Sequence, residues 1–132
     1  MDETTTRPEW AALPPLSSAE PKALAEAIIS VLDEKKGHDM KTLYVEDKTI
    51  LADYFVLCTG YSNTQVKSLA DEVEYKIGLR GLNPLRAEGR DNGSWVLIDY
   101  GSVIVHIFDR NAREFYNLDK LWSDAVPADL SK

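Results

Sequence analysis

Two apolar runs, Ser94 to Tyr100 and Val103 to Phe108, meet at Gly101-Ser102. Runs rich in β-branched and aromatic residues, broken by a two-residue turn that begins with glycine, read as the strands of a hairpin. The turn sets the register, so that Tyr100 faces Val103 and Leu97 faces His106. Side chains alternate across a strand, and this register therefore sorts the residues onto two faces. Val96, Ile98, Tyr100, Val103, Val105 and Ile107 form a nearly aliphatic face that belongs under helices. Trp95, Leu97, Asp99, Ile104, His106 and Phe108 form the other. That mixture of aromatic, carboxylate and imidazole groups is what a partly exposed recognition surface carries. A three-residue loop would scramble the division.

The rest of the chain supplies three more strands and three helical segments. Thr42 to Glu46 alternates as a half-buried strand, followed by a turn at Asp47-Lys48-Thr49 and a short apolar corner at Ile50-Leu51-Ala52. Asp53 to Thr59 is apolar on both faces, the mark of a central strand covered on both sides. Leu85 to Glu88, started by Pro84 and interrupted by Arg86, reads as an edge strand before the Arg90-Asp91-Asn92-Gly93 turn. Ser17-Ser18-Ala19-Glu20 has the spacing of a capping box for a helix with Leu24, Ile28, Val31 and Leu32 on its buried side. Lys35-Lys36-Gly37 closes that helix, with the glycine free to turn left-handed. A second box, Ser62-Asn63-Thr64-Gln65, opens a helix whose stripe is Val66, Leu69, Ala70, Val73 and Ile77. Asp109 caps a last segment carrying Phe115, Leu118, Leu121 and Trp122. The expected fold is an α/β (α+β) domain, a mixed five-stranded sheet with helical cover, over residues 20–125. Residues 1–19, with Trp10, Pro8, Pro14 and Pro15, read as a mostly disordered tail, and 126–132 as a second tail.

Charge and composition narrow the function. Lys and Arg total 15 against 22 Asp and Glu, a net charge of -7. Such a surface repels phosphate backbones and favours a basic protein partner. The longest apolar run, Tyr54 to Cys58, falls far short of the ~20 residues that span a bilayer. The acidic Met1-Asp2-Glu3 start fits neither a secretory nor a transit signal. A single cysteine, Cys58, excludes an intrachain disulfide, so a reducing cytoplasm is expected. Cys58 lies in an apolar strand and reads as a core residue. His106 shares its face with Asp99 and reads as a contact residue, with a hydrogen-bonded structural histidine as the alternative, whereas His38 carries no further signal. Two separated histidines without a cysteine pair give no metal site, and no cofactor is expected. The acidic stretch Asp71-Glu72-Val73-Glu74 reads as a solvated helical face. Gly60-Tyr61-Ser62 is a strand-to-helix turn of the kind that cradles phosphate. No Asp-x-Asp or Asp-x-Glu pair follows on a strand to hold magnesium, so the enzymatic reading, a nucleotide binder or nucleotidyltransferase, rests on that turn alone.

Two stretches resemble the Iojap-like ribosomal silencing factors. The first runs from Ala52-Asp53-Tyr54-Phe55-Val56-Leu57-Cys58-Thr59-Gly60 through Ser62, Gln65-Val66 and Ala70-Asp71-Glu72-Val73. The second runs from Trp95-Val96-Leu97-Ile98-Asp99-Tyr100-Gly101 through Val103 to Phe108, then Arg113-Glu114-Phe115-Tyr116-Asn117-Leu118 and Leu121-Trp122. The resemblance implies a nucleotidyltransferase-like topology without catalytic carboxylates, and no enzyme activity. It implies binding to the large ribosomal subunit through its protein L-fourteen, a block of subunit joining, and lowered translation when nutrients are short. On this reading Trp95 and Phe108 are the apolar anchors. Asp99, Glu88 and Asp109 pair with partner cations, His106 works at the rim, and Tyr116 joins from the last segment. A homodimer through the mixed face is the further alternative.

Overall fold

The computed structural model describes residues 13–17, 19–46, 49–121 and 126–127. Trp10, Asp47, Lys48 and Trp122 lie outside them. The elements in chain order are α1 (Pro21–Glu34), β1 (His38–Tyr44), β2 (Tyr54–Gly60), α2 (Asn63–Leu79), β3 (Arg86–Glu88), β4 (Trp95–Asp99) and β5 (Val103–Asp109). Two short helices, α3 (Arg110–Tyr116) and α4 (Leu118–Leu121), and a two-residue strand, β6 (Val126–Pro127), follow. The sheet order is β3-β4-β5-β2-β1-β6. Among the described strands only β2 and β5 run parallel; the other neighbouring pairs are antiparallel.

The hairpin has the expected register. Leu97 faces His106, Trp95 faces Phe108, and the Tyr100 amide donates to the Val103 carbonyl at 2.9 Å. Gly101 takes a φ of 90°, which the turn needs and an L side chain resists. β2 is the central strand and buries both faces. Val56 and Cys58 join the core under α1 and α2, while Phe55 and Leu57 join the core on the opposite side. The first core holds the whole aliphatic face of the hairpin, together with Leu24, Ile28, Val31 and Leu32 of α1 and the full stripe of α2. The second is smaller, with Leu43, Val45, Ala52, Ile104, Phe108 and Ala112 around Phe55 and Leu57. The sheet thus has one face under two long helices and one face only partly covered.

Several local expectations give way. The Ser17–Glu20 box does not form: Glu20 is the N-cap without a side-chain hydrogen bond, and Pro21 starts the helix. Ser17 is drawn elsewhere because Leu16 beside it is buried, with the Leu16 amide donating to the Arg80 carbonyl at 2.8 Å. The Arg80 guanidinium in turn donates to the Pro14 carbonyl at 2.9 and 3.0 Å. The described end of the expected tail is therefore docked on the domain. At the far end of α1 the left-handed residue is Lys36 rather than Gly37. Gly37 is needed for space instead, since a Cβ there would stand 2.5 Å from the Cys58 sulfur. β1 begins earlier than its alternation suggests, with an irregularity between His38 and Lys41. Ile50 and Leu51 form no packed corner; both are exposed, and only Ala52 is buried. β6 pairs with β1 at Leu43 and Tyr44, adding a short sixth strand to the expected five.

Candidate partner-binding surface

The partly covered face owes its openness to α3. This helix has seven residues, and Ala112 is its one buried side chain. It is held at its start by Asp109, whose Oδ1 accepts from the Ala112 amide at 2.7 Å. It stops at Asn117, which takes a left-handed φ of 48°. A helix this short roofs the C-terminal ends of β2 and β5 and leaves the β4 side of the face to solvent.

Trp95 sits at that boundary, half-buried. Its ring stacks on Phe108 at a centroid distance of 5.1 Å, and Tyr116 of α3 lies against it at 4.5 Å. The indole N–H donates to Nδ1 of His106 at 3.1 Å. His106 is 5% exposed and packs edge-on against Phe55 at 5.1 Å. Burial holds its pKa down at about 4, so the ring is neutral near pH 7. Its Nε2 is buried with no hydrogen-bond partner among the described residues. An orphaned buried donor costs roughly 1–3 kcal/mol.

Two sequence-based roles change accordingly. Phe108 is 0% exposed and presents nothing to a partner; it is the floor beneath Trp95. His106 is equally remote from the rim. Both are buried because the parallel pairing of β2 with β5 sets Leu57 and Thr59 beside them and brings Phe55 against the His106 ring. The exposed aromatic surface comes instead from α3, where Phe115 is 80% and Tyr116 49% exposed.

The carboxylates are also partly occupied. Asp99 accepts from the Gly101 amide at 2.8 Å through Oδ1 and from Arg86 Nε at 3.3 Å through Oδ2. Arg86 also pairs with Glu88 on the exposed edge strand β3. The guanidinium pKa is raised, chiefly by the Asp99 contact. In the sequence Arg86 reads as one of three isolated surface arginines, with Arg80 and Arg90, and only the register that sets it opposite Asp99 reveals the pairing. Glu88, Gly89, Trp95 and Leu97 line a surface pocket of about 210 Å³ between edge and indole. Asp109 stands apart, its carboxylate taken up in capping α3 and, at 3.5 Å, by Asn63.

The Gly60-Tyr61-Ser62 turn is at the opposite end of β2 from the hairpin turn. Ser62 Oγ accepts from the Gln65 amide at 3.0 Å, and Gln65 Oε1 accepts from the Tyr61 amide at 2.6 Å. Tyr61 stacks on His38 at 3.6 Å and lies under the Arg110 guanidinium at 4.4 Å. A cavity beside the turn is lined by Tyr61, Ser62, Asn63, Asp109, Arg110 and Asn111. Its single carboxylate is the α3 cap, which also faces any anion that approaches. Among the described residues no three metal-ligating side chains cluster, and no helix is long and apolar enough to cross a membrane.

Residues 18–132 match the family model described as "Ribosomal silencing factor during starvation". The chain is 38% identical over 109 residues to the ribosomal silencing factor RsfS of Bacillus subtilis, covering 83% of this chain and 92% of that one. It is 30% identical over 112 residues to the chloroplastic protein Iojap of Zea mays, covering 85% of this chain and 49% of that one. A crystal structure of a protein from Chromobacterium violaceum superimposes with a TM-score of 0.78 at 34% identity, covering 80% of this chain and 88% of that one.

Proposed function

The chain belongs to the ribosomal silencing factor family, and on that premise we propose that its half-open sheet face docks on the large ribosomal subunit and keeps the small subunit from joining. The partner surface is the large-subunit protein L-fourteen, and the outcome is lowered translation under nutrient limitation in the cytoplasm. The observation that supports this most is the half-buried Trp95, stacked on a buried Phe108 and flanked by exposed Tyr116. A large aromatic group on a rigid floor, with charge at its edge, is the usual core of a protein interface. The rim is supplied by Asp99, Arg86 and Glu88, and the net charge of -7 draws a basic partner toward the face. The block is steric and uses no catalysis. Asp109 lies outside this footprint as an anchor of α3.

The purified protein should co-sediment with isolated large subunits and shift joined ribosomes toward free subunits at moderate salt. Trp95→Ala should weaken binding by about a hundredfold, the loss typical of a central aromatic contact. Asp99→Arg should also weaken it, with the domain still folded. Absence of co-sedimentation by the unaltered protein would refute the docking. A second copy of the chain is the competing occupant of this face, and light scattering across a concentration series reports it.

A further inference from the structure

We infer that His106 is a positioning residue, whose Nδ1 lone pair fixes the Trp95 indole in the orientation that a docking partner meets. The inference rests on the docking role proposed for Trp95. An indole N–H can only donate, so the contact at 3.1 Å makes Nδ1 the acceptor. A neutral imidazole has one acceptor nitrogen, so its proton sits on Nε2. That nitrogen is buried and without a hydrogen-bond partner among the described residues. Among the described residues Trp95 alone sets the tautomer, and the second nitrogen makes no hydrogen bond there. Its described neighbours are apolar: Phe55 edge-on, Phe108 along the same face, and Leu97 opposite across the hairpin. Leucine would fill this position without orphaning a donor. What leucine lacks is an acceptor for the indole. A half-buried tryptophan has several side-chain rotamers open to it, and its N–H would otherwise turn to water. The imidazole restricts it to the setting that stacks on Phe108 and meets Tyr116.

Nitrogen NMR of the unaltered protein tests the tautomer without any variant. Nδ1 of His106 should be unprotonated and the Trp95 indole N–H protected from exchange; a proton on Nδ1 overturns the inference. In His106→Leu that protection should vanish, and affinity for large subunits should fall about tenfold, one hydrogen bond's worth. His106→Gln, whose side-chain oxygen can accept, should recover part of both. A folded His106→Leu that keeps wild-type indole protection or wild-type affinity overturns it. If the unaltered protein does not co-sediment at all, the docking reading fails separately, because the indole protection is read on the isolated domain.

Discussion

His106 couples stability to pH through its burial. The folded ring titrates at about 4 and the unfolded one near its ordinary 6.5, and desolvation is the cause. Between those values the unfolded chain binds the extra proton. Stability is therefore fully present above pH 6.5 and declines as the pH falls toward 4, by on the order of 3 kcal/mol. Denaturant unfolding at pH 7 and 4.5 should show that loss, and His106→Leu should flatten it. Asp119, held below the usual carboxylate range chiefly by its Arg113 hydrogen bonds, adds its own loss in more acidic solution. At this scale the sequence was only half legible. Alternation placed Trp95, His106 and Phe108 on one face. How deeply each lies depends on Phe55 and α3, which are distant in sequence. The pairing of Asp99 with Arg86 was hidden for the same reason, since the two meet only once β3 and β4 align.

The element most open to disruption is α3, which buries only Ala112, with the four-residue α4 beyond it. Arg113 is their latch. Its Nε and Nη2 donate to the two Asp119 oxygens at 2.8 and 3.0 Å, while Nη1 donates to the Asp39 carbonyl at 2.9 Å and Thr59 Oγ1 at 2.8 Å. One side chain thus ties α3 to α4, to the irregular start of β1 and to β2. Arg113→Ala should cost about 2 kcal/mol, because a partly buried fork of charge-assisted hydrogen bonds is lost. Hydrogen exchange should quicken in α3 before the rest of the domain. Arg113→Lys should not rescue it, since an ammonium lacks the planar fork. The hairpin and central strand were legible because turn chemistry and a period of two act locally. The first capping box misled because burial of Leu16 outweighs a side-chain cap worth roughly 1 kcal/mol. β6 has two residues, too few for any periodicity to reveal.

Across the whole molecule the two faces of the sheet divide the labour. One carries the large core under α1 and α2, and the other carries the smaller core and the aromatic surface. A net charge of -7 bears on encounter with the proposed basic partner rather than on the fold. Association with large subunits should slow several-fold as salt rises from about 0.05 to 0.5 M, while dissociation changes less. Stopped-flow mixing at those two salt concentrations measures it, and a salt-independent association rate would remove the steering role.

Leu16 reaches into the main core from ahead of the first helix, with Pro14 held by the end of the second. A fragment trimmed to begin at Pro21 would keep every strand and long helix yet carry a void where that leucine belongs, and Arg80 would lose the carbonyl it grips. Among the described residues, then, the packed unit reaches back at least as far as Pro14, ahead of the first regular turn.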